Sequence, residues 1–211
     1  MIRYVFFDVA GTLLGKPTLY SNIQKSINEF GFEVSLEEIK NKHKLLSEVI
    51  HFPDRTDADF YKKFNSELLF LLGIVPTENL LNTIFKNCTY LPWEAFDDTK
   101  IISELTVPIG VISNFNSTLK EKLESFFGPI FKDVLVSEEL GVAKPDIVFY
   151  QKALDKIPYQ ANEVLYIGDS IKLDMKPATE LGWNVLIIDR DNFYPNLNNK
   201  ISNLAEITKF L

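Results

Sequence analysis

Cysteine is nearly absent from this sequence. Cys88 is the only one in 211 residues, so no disulfide can form within the chain. A single cysteine in an apolar stretch reads as packing rather than as a nucleophile. Runs of basic residues are missing too. The formal net charge is −7 without a local basic cluster, which argues against nucleic acid or an anionic membrane surface as a partner. No stretch approaches the ~18 consecutive apolar residues of a membrane span. Met1 leads straight into Ile-Arg-Tyr-Val-Phe-Phe, without the basic n-region or cleavage site of a secretory leader. The expectation is a cytoplasmic protein. Internal repeats and low-complexity tracts are also lacking.

What is present is an ordinary globular balance, 46% hydrophobic and 24% charged, in a chain long enough for one sizeable core and a small accessory domain. Short apolar runs rich in β-formers recur at 2–7, 107–112, 134–136, 164–167 and 185–188. They read as strands buried on both faces, as in parallel sheets. Helical patterns lie between them at 116–127, 146–157 and 171–181, closed by Gly128, Pro158 and Gly182. A terminal helix is expected over 204–211, and 192–200 reads as a polar loop. Alternating strands and helices imply βαβ units and an α/β, doubly wound, Rossmann-like parallel sheet.

Residues 18–91 break this rhythm with four successive helices and no convincing strand. The first runs over 18–30 and ends at Gly31. Ser35 and Glu38 form a capping box for the second, Thr56 with Asp59 opens the third, and Thr77 caps the fourth. Such a block cannot extend the sheet. We therefore expect a discontinuous core domain, 1–15 and 92–211, with an all-helical domain inserted at 16–91.

Four constellations carry chemistry, each at the end of an expected strand. In Phe6-Phe7-Asp8-Val9-Ala10-Gly11-Thr12, a carboxylate sits at the carboxyl edge of the sheet, where ligand crevices form. Gly11 permits a sharp turn, and Thr12 can hydrogen-bond an oxyanion. Ser113-Asn114 places a hydroxyl and an amide at the next strand end, suited either to a phosphoryl oxygen or to capping the following helix. Lys144, fixed by Pro145 just before a helix, can neutralise an attacking carboxylate and a phosphoryl group together. Asp169 and Asp174 straddle a strand end and the first helical turn beyond it. They offer hard oxygen ligands of the kind Mg²⁺ prefers, or simply favourable charge at a helix start.

In this order the four motifs resemble those of the haloacid dehalogenase superfamily, in the branch whose helical cap is inserted between the first motif and the second. The resemblance spans essentially the whole chain. It implies that Asp8 attacks phosphorus to give an aspartyl-phosphate that water hydrolyses, while Ser113 and Lys144 hold the transferring group. It further implies Mg²⁺ held by Asp8, the backbone carbonyl of Ala10, Asp169 and Asp174. Thr12 and Asn114 join the substrate contacts. The substrate would be a small phosphorylated or otherwise anionic molecule, and the helical cap would close over the crevice and exclude water.

Ala10 departs from the pattern, because family phosphatases carry an aspartate there as general acid and base. Losing a positioned acid costs ~10²–10⁴ in rate. Four explanations stay open: a substrate with a good leaving group or a proton supplied by the cap, phosphonate chemistry with a cap lysine (Lys40, Lys42 or Lys44), dehalogenation, or a binding protein without turnover. Other residues are weighed more simply. His43 and His51 are expected to face solvent, and Phe60, Phe64 and Phe70 to fill the helical core. Trp93 should pack at the hinge. Arg55 is either a contact to an anionic substrate group or plain surface.

Overall fold

The computed structural model describes every residue except His51 and Asp54. In chain order the strands are β1 (Tyr4–Phe7), β2 (Leu14–Gly15), β3 (Glu94–Ala95), β4 (Ile109–Ser113), β5 (Asp133–Val136), β6 (Val164–Gly168), β7 (Asn184–Ile188) and β8 (Lys200–Ile201). Six of them form one sheet in the order β5-β4-β1-β6-β7-β8, and every pairing in it is parallel. β1, β4 and β6 are buried along their whole length, as expected for strands covered on both faces. Strand order runs outward in both directions from β1. The carboxyl ends of these central strands are the edge at which a doubly wound sheet binds ligands.

The chain divides into two compact units, Met1–Gly15 with Ala95–Leu211, and Lys16–Glu94. The first holds the sheet and the helices α5 (Leu119–Phe127), α6 (Ser137–Leu140), α7 (Ile147–Leu154) and α8 (Lys176–Glu180), together with 3₁₀ helices at Asp97–Glu104 and Leu204–Lys209. One of its cores is aromatic. Phe6 of β1 stacks on Trp183 with ring centroids 5.5 Å apart, and Tyr150 and Tyr166 meet Trp183 edge-on.

The second unit is helical: α1 (Leu19–Asn28), α2 (Leu36–Val49), α3 (Ala58–Leu71) and α4 (Glu78–Cys88). Ile23, Ile27, Ile39, Phe64, Leu68 and Leu80 are among the residues of its core. Ser35 and Thr77 cap α2 and α4 by accepting from the Glu38 and Leu80 amides. At α3 the cap is Asp57, one residue past Thr56, and its Oδ1 accepts from the Phe60 amide at 2.7 Å.

Several expectations need correction. The helix expected over 171–181 is instead a wide π turn, Ile171–Met175, followed by α8. Pro177 is the cause, since it has no N–H to offer the Leu173 carbonyl four residues back. The Tyr150 hydroxyl donates to that carbonyl instead, while the Met175 amide reaches back five residues to Ser170. The polar loop over 192–200 ends in β8, a strand of only two residues. The terminal helix is a 3₁₀ helix, Leu204–Lys209. His43 does not face solvent. It is half-buried between the rings of Tyr20 and Phe64, whose centroids lie 5.2 and 5.0 Å away. Burial, with Lys44 beside it, lowers its pKa to about 4. Phe70 is 57% exposed rather than in the core. His51 lies outside the described residues.

Candidate active site

The hydrogen-bond ladder of β1 runs one residue past the strand, where the Asp8 amide donates to the Ile167 carbonyl at 2.8 Å. This sets Asp8 on the carboxyl edge beside the end of β6. The chain then turns tightly. The amides of Thr12, Leu13 and Leu14 all donate to the Val9 carbonyl, and that of Gly11 donates to Leu14. Gly11 has φ +83°, and a Cβ on it would collide with the Asp169 carboxylate. Gly168 is excluded from larger residues by the same logic, because a Cβ there would run into the Asp174 carboxylate. These two glycines let backbone approach the acids closely.

Lys144, 3% exposed, reaches the centre of this edge from the segment before α7. Its Nζ donates to Asp8 Oδ1 at 2.6 Å, to Asp174 Oδ1 at 2.7 Å and to the Tyr166 hydroxyl at 3.0 Å. Tyr166 in turn donates to Asp174 Oδ1 at 2.7 Å, and the Ser170 amide holds Asp174 Oδ2 at 2.9 Å. Asp8, Asp169 and Asp174 each place a carboxylate oxygen within 4.8 Å of the others. Lys144 bridges two of these acids, Asp8 and Asp174, and Asp169 lies beside them. A divalent cation with hard-oxygen preference fits this donor set, and the two glycines above leave the acids room to turn towards it.

Burial raises the Asp8 carboxyl to about 7, a shift Lys144 opposes and Asp174 and Asp169 reinforce. Burial alone would lower the Lys144 pKa, but Asp174 and Asp8 outweigh it and hold the ammonium firmly protonated. Burial and the nearby acids also keep the Tyr166 phenol a donor. Asp8 and Asp174 are thus buried acids bound together by one fixed cation.

The other expected residues fall out as follows. Ser113 is buried at the end of β4, next to β1 in the sheet. The Thr12 hydroxyl is fully buried and has no hydrogen-bond partner among the described residues. Asn114, expected among the substrate contacts, uses its amide on Lys144: Nδ2 donates to the Lys144 carbonyl at 2.9 Å, and Oδ1 accepts from the Lys144 amide at 2.7 Å. It fixes the backbone that carries the central ammonium. Ala10 is exposed and bridges to Leu14 within the turn. Arg55 is exposed and belongs to the helical unit. Sequence reasoning missed Tyr166 and Arg190. A tyrosine two residues before Gly168 in a buried strand, and an arginine two residues past the end of another, were the available signals.

A doubly wound parallel sheet, with acids gathered at its carboxyl edge and a buried lysine reaching them, defines an α/β protein with a candidate active site at that edge. Residues 2–182 match the sequence profile of haloacid dehalogenase-like hydrolases, and the chain belongs to that family. It is 27% identical to a glyceraldehyde 3-phosphate phosphatase of Methanocaldococcus jannaschii, covering 100% of this chain and 99% of that protein. An (S)-2-haloacid dehalogenase 4A of Burkholderia cepacia is 22% identical over 100% of this chain and 95% of its own length. The HAD-hydrolase YfnB of Bacillus subtilis, in a magnesium-bound crystal form, superposes with TM-score 0.70 at 22% identity, covering 100% of this chain and 98% of its own. No helix among the described residues is long and apolar enough to cross a membrane.

Proposed function

We propose that this hydrolase is a Mg²⁺-dependent phosphatase acting on a small phosphorylated metabolite through an aspartyl-phosphate on Asp8. The single observation that carries this is the cluster of Asp8, Asp169 and Asp174, two of which, Asp8 and Asp174, are bonded to Lys144. Asp8, the Ala10 carbonyl, Asp169 and Asp174 would hold the ion, which when bound supplies charge neutralisation between the acids and a phosphoryl group.

The chain's own residues do the rest. Asp8 attacks phosphorus with one carboxylate oxygen, and the bond to the leaving oxygen breaks as the new P–O bond forms. Lys144, pinned by Asn114, Tyr166 and Asp174, stabilises charge on the transferring group without reorganising. Ser113 and the unpartnered Thr12 hydroxyl are the remaining polar groups for its oxygens. Water then hydrolyses the acyl phosphate. The helical unit serves as a cap that selects the substrate, with Arg55 a candidate contact for an anionic group. Phosphatases of phosphorylated three-carbon sugars among the relatives favour this class over halide chemistry.

Ala10 shapes which phosphates qualify. With no carboxyl at position 10 to protonate a departing alkoxide, acyl and aryl phosphates, whose leaving groups need little protonation, are favoured. The same alanine supports a second reading, a protein that binds metal and phosphate without turnover. Mg²⁺-dependent phosphate release from an aryl, an acyl and an alkyl phosphate, in wild type and Ala10→Asp, separates the two. The phosphatase reading expects the wild type to cleave the first two and the variant to gain the third. Release from none of them by either protein sinks it.

A further inference from the structure

Arg190 follows β7 and belongs to none of the four motifs. Its Nη1 donates to the Gly11 carbonyl and its Nη2 to the Thr12 carbonyl, both at 2.9 Å. Nε and Nη2 also grip Asp98, at 3.0 and 2.8 Å, and the guanidinium lies 4.0 Å over the Phe96 ring. Asp98 is braced in turn by the Leu204 amide at 3.1 Å. One side chain therefore ties the turn after Asp8 to the segment that re-enters the sheet unit and to the C-terminal helix.

The bonds within the turn show what this achieves. The Val9 carbonyl takes three amides, the Leu14 carbonyl takes Gly11, and the Leu13 carbonyl takes Phe96. Arg190 accounts for the carbonyls of Gly11 and Thr12. Over residues 9–14, the Ala10 carbonyl is the one without a hydrogen-bond donor among the described residues.

Resting on the metal site proposed for this cluster, we propose that Arg190 is a positioning residue. It holds the Gly11 and Thr12 carbonyls in place and leaves the Ala10 carbonyl as the loop's available ligand. Only a planar fork can serve two successive carbonyls and a carboxylate at once, so lysine is not an equivalent replacement.

The test uses the full chain as wild type, Arg190→Lys and Asp98→Asn. Mg²⁺ affinity is read by calorimetry, kcat and KM with an aryl phosphate, and amide exchange over residues 9–14 by mass spectrometry. Arg190→Lys is expected to fold, to bind Mg²⁺ about ten-fold or more weakly, and to lose kcat by a similar factor with little change in KM. Exchange should quicken in the turn while β6 keeps its protection. A folded Arg190→Lys with wild-type affinity and exchange overturns the assignment. Should that variant not fold, Asp98→Asn decides: an intermediate Mg²⁺ affinity supports the role, and a wild-type one overturns it. If the wild type itself binds no Mg²⁺, the metal reading of the site fails by itself. Arg190 is then judged on exchange alone, with faster exchange in the turn supporting the role and unchanged exchange ending it.

Discussion

Lys144 and Asp8 are both almost fully buried and meet at 2.6 Å between Nζ and Oδ1. The same ammonium also pairs with Asp174 at 2.7 Å, so one cation holds the proposed nucleophile and a candidate metal ligand in a fixed relation. Removing one partner of a buried pair leaves the other charge desolvated and uncompensated. Lys144→Met is expected to cut phosphate release at least about 10²-fold and to cost about 3 kcal/mol of stability without metal. Urea unfolding with and without Mg²⁺ checks this, and the ion should recover part of the loss. A variant as stable as wild type in chelator would contradict it.

Asp8→Asn should behave differently. Burial pushes the Asp8 carboxyl up to about 7, so the folded state disfavours its charged form at alkaline pH, where the unfolded chain carries it freely. A neutral amide removes that cost. We expect turnover to vanish while the melting temperature at pH 8 stays level or rises. A fall of several degrees would show that charged Asp8 stabilises the fold.

Gly168 and Gly31 offer a matched pair. A methyl group on Gly168 meets the Asp174 carboxylate, whereas Gly31, at φ +81°, has open space around it. Gly31→Ala then costs only the left-handed backbone penalty, about 1 kcal/mol. Gly168→Ala is expected to cost about 1–3 kcal/mol as the overpacked side chains shift, and to weaken Mg²⁺ binding as well. Chemical denaturation and calorimetry on both variants test the ranking. Equal costs with unchanged Mg²⁺ affinity would contradict it.

His43 predicts a pH dependence in the helical unit. Its folded pKa, about 4, lies below the ordinary 6.5, so the unfolded chain binds the proton more readily. Stability is fully present above pH 6.5 and falls as the pH drops from there to about 4. The loss should be about 2 kcal/mol, reduced from the full shift because the ring is only half-buried. His43→Leu should flatten that slope in urea melts at pH 7.5 and 5. An unchanged slope would assign the dependence to other groups.

The sheet was legible because its strands carry a simple signal. Residues buried on both faces must be apolar throughout, and 107–112 or 164–167 admit few other readings. β2, β3 and β8 span two residues each, too short for any pattern to register. The expected helix over 171–181 ran through Pro177, and helical periodicity outweighed the missing N–H. His43 went astray because an imidazole sits as readily between two rings as in water.

Asp8 and Asp169 were legible because each directly follows an apolar run, Lys144 because Pro145 fixes it just before a helix, and Asp174 because it falls in the first turn beyond Asp169. Their supports were not. Asn114 clamps a backbone thirty positions away, and Arg190 reaches Gly11 across 179 positions. No local pattern encodes such contacts.

The most direct test of the central claim is to look for the phosphoryl group on Asp8. Wild type and Asp8→Asn would be mixed with an acyl phosphate and Mg²⁺, quenched in acid within the first turnover, and peptide-mapped by mass spectrometry. The account predicts a phosphorylated peptide containing Asp8 in the wild type and none in the variant, with phosphate release lost alongside it. Phosphate release at the wild-type rate from Asp8→Asn, or a phosphoryl group carried on another residue, would contradict it.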